Sequence, residues 1–278
     1  MTFTNCYADL TRADAYDSLE FANTYYLAYR DLPELFAKYA LGSPILGEAK
    51  SGSVAALRVA LDFGCGTGRS TRFLKRHGFG AIGIDISPDM LARARQHDPE
   101  GDYRLVGDGD ISAMPSGKPT QATEACVGHR EVNALSPLEG TFDLVLSMFT
   151  FDNIPGEKKV PLFTQLRRML KPAGRLISVV SDPQIYWNEW ASFSTKEFAA
   201  ANRLAKSGER VKIIVTDHHD QRPVEDIVWT HASYCDVYEH SGLAIVEVTK
   251  PLATGEEPYR WVSETRLNPW VIYVLQPA

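Results

Sequence analysis

From about residue 57 to residue 181, short apolar runs alternate with helical patterns, and nothing else in the chain constrains its fold as strongly. Strands separated by helices pair in parallel, because each helix carries the chain back to the starting edge of the sheet. "LRVALDF" reads as the first strand, "RSTRFLKRH" as a helix stopped by Gly78, and "AIGID" as the second strand. In "SPDMLARARQH", Ser87 is placed to cap a helix and Pro88 to take its first position. "YRLVGDGD" closes the third strand, "FDLVLSMFTF" is the fourth, "VPLFTQLRRML" is a helix closed by "KPAG", and "RLISVVS" is the fifth. All are nearly continuous apolar runs, as expected of strands covered by helices on both faces.

Residues 112–140 are small and polar without any period, and read as a long surface loop or insertion. Past the fifth strand come an irregular helical stretch to about 207, a strand pair around "VKIIVTDHHDQRPVEDIVW", the helix "HASYCDVYEHSG", and strands "LAIVEVT" and "WVIYVLQ". At 278 residues and 44% hydrophobic, the chain can bury one large core with elaborations. Its apolar runs fall short of a membrane span. The N-terminus lacks a basic and then apolar leader, so a cytoplasmic protein is expected. Cys6, Cys65, Cys126 and Cys235 are scattered and read as reduced thiols, with no metal site. A net charge of -6 without a basic tract argues against a nucleic-acid partner.

Between the first strand and its helix stands "LDFGCGTGRS", with glycines at every second position. Such a turn lets backbone approach a ligand closely and points helix N-terminal amides at it. The dinucleotide fingerprint G-x-G-x-x-G fails in either register, since the sixth position is Arg69 or Thr71. The phosphate loop fails too, for want of a Gly-Lys-Ser/Thr run. What remains is Asp62 before Gly64, Gly66 and Gly68, then Asp85 at the tip of strand two. An acid at that tip can take both ribose hydroxyls. Asp62 would repel a pyrophosphate and suits an ammonium, so a ribonucleoside with an amino-acid tail fits best. The competing readings are a plain tight turn for the glycines and helix caps for the acids.

On these residues the chain resembles the class I S-adenosylmethionine-dependent methyltransferases from about Leu57 to Ser181. "VALDFGCGTG", "IGIDISPDML", "GDISAMP", "FDLVLSMFTF" and "LKPAGRLISVV" are similar to that family's motifs, in order. The resemblance implies a Rossmann-like α/β fold, with a seven-stranded mostly parallel sheet and helices on both faces. It implies an N-terminal helical lid over 1–50 and a methyltransferase domain over 51–278, whose substrate-side elaboration spans about 182–230. It also implies S-adenosylmethionine as cofactor and S-adenosylhomocysteine as product. Gly64, Gly66 and Gly68 would line the methionine part, Asp62 its amino group, and Asp85 the ribose. Ile86 and Met90 would pack on adenine, Asp110 (rather than Asp108) would accept from its amino group, and the Ile111 N–H would meet a ring nitrogen. Ser147 would approach the cofactor amino group through its backbone.

Methyl transfer from a sulfonium needs alignment and exclusion of water, and needs a base only for a protonated nucleophile. The candidates on the acceptor side are Asp152 and Asn153 after strand four, and Tyr186 and Glu189 in "QIYWNEW". His218 and His219 complete them; on a strand they would face opposite ways. Tyr186, Trp187, Trp190 and Trp229 would wall a pocket or form a satellite core. Each polar candidate also has a bland reading as a turn, solvated or hydrogen-bonded residue. The tyrosine-rich N-terminal segment serves as a lid, as packing on the sheet, or as a homodimer contact. The expected activity is methyl transfer to oxygen or nitrogen of a small-molecule acceptor. The alternatives are a cofactor-binding, non-catalytic partner subunit and a related enzyme of other transfer chemistry.

Overall fold

In the computed structural model, which describes residues 10–39, 41, 58–108, 111 and 138–278, three short helices come first: α1 (Leu10–Asp17), α2 (Thr24–Arg30) and α3 (Leu32–Lys38). The alternating region follows as β1 (Arg58–Phe63), α4 (Arg69–Arg76), β2 (Phe79–Asp85), α5 (Pro88–His97), β3 (Asp102–Leu105), β4 (Phe142–Met148), α6 (Gly156–Met169) and β5 (Leu170–Ser181). Next come β6 (Phe193–Ser194), the short helix α7 (Ala199–Asn202), β7 (Arg210–Val215) and β8 (Val224–Ile227). The chain ends with α8 (His231–His240), β9 (Leu243–Thr249) and β10 (Trp270–Pro277).

The main sheet has seven strands in the order β3-β2-β1-β4-β5-β10-β9. The first five run parallel, and β10 lies antiparallel to both of its neighbours. The expected mostly parallel sheet is therefore present. Its central strands are mostly apolar because helices cover both faces: on β4, Leu144 and Leu146 join one core cluster, Phe142 and Val145 the other. Leu27, Leu32 and Leu74 of α2, α3 and α4 supply the first layer, and Phe163, Leu166 and Tyr238 of α6 and α8 the second. Each is fully buried, which contributes roughly 1.5–3 kcal/mol per side chain. Ser87 caps α5 as its sequence suggests, its Oγ accepting from Met90 N at 3.3 Å.

β6, β7 and β8 form a separate antiparallel sheet, the strand pair expected from sequence plus one short addition. His218 and His219 lie in the connection between β7 and β8 rather than on a strand, so the opposite-face argument does not apply to them. The N-terminal helices are tied to both halves of the molecule. Arg93 of α5 pairs with Asp14, and Arg69 donates to the Leu19 and Glu20 carbonyls. Trp270 Nε1 donates to the Thr24 carbonyl at 2.8 Å. The proposed insertion lies outside the described residues over 112–137, as does most of the first fifty residues beyond α1 to α3. No helix among the described residues is long and apolar enough to cross a membrane.

Candidate functional site

β1 sits between β2 and β4, so connections leave its carboxyl end in opposite directions and open a crevice there. The glycine turn fills that crevice. Gly64, Gly66 and Gly68 have φ of 73°, 52° and 79°, the left-handed region that glycine enters without a Cβ penalty. At Gly64 the reason is also contact: a Cβ would lie 2.2 Å from Thr150 Oγ1, just past β4. Gly68 faces away, where a Cβ would meet the Tyr103 hydroxyl at 2.6 Å.

Asp85 holds this turn to the start of α5. Its Oδ2 accepts from Gly66 N at 2.9 Å and its Oδ1 from Ser87 N at 2.8 Å. Burial raises its pKa above the usual carboxylate range, against those two donors. Asp62 lies fully buried beneath the turn, its Oδ2 accepting from Ser70 Oγ at 2.7 Å and Thr71 Oγ1 at 2.6 Å. Burial pushes its pKa up to about 6. Its Oδ1 is buried without a hydrogen-bond partner. Buried acceptors are nearly always satisfied, so this oxygen has a place left for one further donor.

A cavity of about 190 Å³ runs from Gly64, Gly66 and Asp85 past Ile86 and Met90 to Phe149, Asp152, Tyr186 and Asp226. Ser147 is buried outside its lining, its Oγ unpartnered. The Ile111 N–H donates to Gln165 Oε1 at 3.0 Å, and Asp110 lies outside the described residues. Asp108 pairs with Lys158 at 2.6 Å.

Asp152, Asn153, Tyr186 and His218 are brought together on the cavity; Glu189 and His219 are not. Glu189 instead accepts from Thr195 N at 2.7 Å and Ser194 Oγ at 3.0 Å. Asn153 Nδ2 donates to the Phe149 carbonyl at 3.3 Å. His218 has a buried, unpartnered Nδ1, and burial lowers its pKa, which favours the neutral ring. Asp152 accepts from Ser181 N at 3.0 Å and Ser181 Oγ at 2.9 Å. Lys159 is fully buried beside it, donating to the Phe151 carbonyl with its Nζ 4.9 Å from the Trp229 ring centre. Burial lowers the Lys159 pKa and raises that of Asp152, while the two charges oppose both shifts.

The aromatic wall differs from the expected one. Of the four rings anticipated, Tyr186 alone lines the cavity; Trp190 is buried with Nε1 donating to the Ile185 carbonyl, and Trp229 packs against Gly156. Tyr25, Phe149, Phe193 and Trp270 take their place. Phe149 has φ 61°, a strained conformation for a bulky residue, and its ring sits 4.7 Å from that of Trp270. Sequence reasoning also passed over Asp226 of β8, whose Oδ2 accepts from the Tyr186 hydroxyl at 3.2 Å. Burial and the nearby Asp152 charge raise its pKa to about 7. Its signal was phase: Val224 and Asp226 line the cavity, whereas Glu225 between them pairs with Arg210 at 2.8 Å.

Among known proteins, residues 61–178 match the family model described as a methyltransferase domain. The chain is 33% identical over 130 residues to 2-methyl-6-phytyl-1,4-hydroquinone methyltransferase of Synechocystis sp., covering 46% of this chain and 32% of that protein. It is 32% identical over 117 residues to 18S rRNA (guanine-N(7))-methyltransferase of Bos taurus, covering 42% and 37%. The chain thus spans about a third of the length of these curated relatives. In fold it is similar to an S-adenosylmethionine-dependent methyltransferase from Clostridium acetobutylicum, with a TM-score of 0.57, 14% identity, and coverage of 98% of this chain and 99% of that one. The matched segment holds the last half of β1, the glycine turn, Asp85 and β4, so residues 61–178 carry a methyltransferase domain of the kind whose motifs the sequence resembles.

Proposed function

We propose that this protein transfers a methyl group from S-adenosylmethionine to an oxygen or nitrogen atom of a small-molecule acceptor. The observation that carries the reading is the unpartnered Asp62 oxygen beneath a left-handed glycine turn whose Gly64 and Gly66 line one end of a cavity. When bound, the cofactor supplies a methyl carbon on a positive sulfonium, open to in-line displacement. Gly64 and Gly66 would admit its methionine part without a Cβ in the way, and Asp62 would meet its ammonium. Asp85, already fixed by two backbone donors, has lone pairs left for ribose hydroxyls. Ile86 and Met90 would flank the adenine. In this reading Asp110 accepts from the adenine amino group, the Ile111 N–H exchanges Gln165 for a ring nitrogen, and the Ser147 backbone approaches the ammonium. The residues of α1 that line the cavity, Arg12, Ala15 and Tyr16, would close it against water.

A small acceptor suits the cavity's far end better than a polynucleotide. Its lining cations are already engaged: Lys158 with Asp108, Arg222 with Asp220, and Arg12 with the Pro223 carbonyl. Phosphate binding needs such cations for the ligand.

The test is calorimetric titration with S-adenosylmethionine, S-adenosylhomocysteine and NAD, followed by a labelled-methyl screen of small metabolites. Micromolar binding of the first two without NAD supports the reading. Binding of NAD alone overturns it. Asp85→Ala should weaken S-adenosylhomocysteine about tenfold or more, from a lost charge-assisted hydrogen bond of roughly 1.5–3 kcal/mol. An unchanged affinity in the folded variant removes Asp85 from the cofactor set.

A further inference from the structure

The cavity's acceptor end holds an acid whose charge nothing nearby balances. Among the described residues, one hydrogen bond reaches the Asp226 carboxylate, from Tyr186 at 3.2 Å. Lys159, the buried cation of this region, donates to the Phe151 carbonyl and faces Asp152. Arg12, Lys158 and Arg222 are committed as described above. His218 carries no charge to offer, since burial favours its neutral form. Asp226 therefore borders one further acid, Asp152, and an apolar space.

That space is aromatic. Ring centres of Tyr25 and Phe149 lie 5.7 Å apart, those of Tyr25 and Phe193 5.0 Å, and those of Phe193 and Trp270 5.8 Å. Ile213 and Val215 of β7 complete the lining. Aromatic faces attract cations, most of all where water is excluded, and a carboxylate among them prefers a positive partner to a neutral one. An anionic acceptor would be repelled, and an alcohol would leave the negative charge uncompensated.

Resting on the methyl-transfer reading above, we propose that this end of the cavity is an amine site: Asp226, presented by β8 and held by Tyr186, receives the protonated amine of a small apolar acceptor and takes its proton. The ammonium N–H bond breaks and its proton passes to the Asp226 carboxylate. A neutral amine and a neutral carboxylic acid result, and the freed lone pair is the nucleophile. Burial and Asp152 make the acid's hold on that proton tight enough near neutrality.

The test uses the whole chain saturated with S-adenosylhomocysteine, titrated with cyclohexylamine, cyclohexanol and cyclohexanecarboxylate. The amine should bind about tenfold or more tightly than the alcohol, with the carboxylate weakest. Asp226→Asn should cost the amine about tenfold, while S-adenosylhomocysteine and cyclohexanol stay within about twofold. Equal binding of amine and alcohol to the unmodified chain overturns the proposal, whether or not the variant folds. So does an amine affinity unchanged by Asp226→Asn. Failure of S-adenosylhomocysteine to bind overturns the cofactor reading and the amine site with it; cofactor binding without amine preference overturns the amine site alone.

Discussion

The two ends of the cavity are built by different means. At the end proposed for the cofactor, backbone forms the wall: Gly64 and Gly66, whose Cα carry nothing, and two acids held by neighbouring N–H and hydroxyl groups, Asp85 on the cavity and Asp62 beneath the turn, all between residues 62 and 87. At the acceptor end, side chains far apart in sequence converge: Tyr25, Phe149, Tyr186, Asp226 and Trp270. The first kind of site resists added atoms: a Cβ would run into Thr150 at Gly64 and into Tyr103 at Gly68, and all three glycines hold left-handed φ. The second can be changed one side chain at a time. The difference teaches that, on the proposed reading, side-chain changes alter the acceptor end while the cofactor end stays as it is.

The sharpest way to break the acceptor end alone is Lys159→Met. It keeps apolar bulk but strips Asp152 of its opposing charge, and should cost about 3–5 kcal/mol in urea unfolding. A loss below about 1 kcal/mol would mean that Asp152 is carried neutral. Gly64→Ala attacks the other end. With φ 73° and a Cβ 2.2 Å from Thr150 Oγ1, it should weaken S-adenosylhomocysteine by about 100-fold, roughly 2.7 kcal/mol. Affinity within about threefold would show that the turn can shift freely.

A milder probe is pH. Asp62, raised to about 6, takes up a proton as pH falls through that value and loses the charge proposed to attract the cofactor's ammonium. Cofactor affinity should drop about tenfold from pH 7 to pH 5, and the Asp62→Asn variant should lose that slope. Stability of the ligand-free chain runs the other way. The fold binds this proton more tightly than the unfolded chain does, so the Asp62 contribution declines as pH rises from about 4 to about 6. The smallest effect belongs to Glu189→Gln, outside the cavity. It should cost at most about 1 kcal/mol of stability through Thr195 and Ser194, and move neither cofactor nor amine affinity beyond about twofold.

How much could be read beforehand divides along the same line. The parallel strands, the Ser87 cap and the position of Asp85 at the tip of the second strand follow from local apolar runs and cap residues, and local pattern is what a sequence displays. The last two strands were also visible, though not the placing of β10 between β5 and β9, which depends on partners a linear pattern does not name. On the acceptor side, three tryptophans drew attention by size, yet packing sent them into the core or against α6. Asp226 and Tyr25, without any motif, reached the cavity through strand phase and helix placement. Burial at such positions is a property of the assembled layers.

The position of β10 has a kinetic side. Among the described residues, β9 pairs with no strand but β10, and β10 joins it to β5. During synthesis, residues 243–249 emerge before the strand that will hold them, and must wait at an unoccupied sheet edge. Contacts between distant segments form slowly, so this corner should be the last to order and the first exposed to aggregation while the ribosome is still at work. Trp270, at the start of β10, lines the cavity at the end proposed for the acceptor, so that wall is finished only when β10 docks.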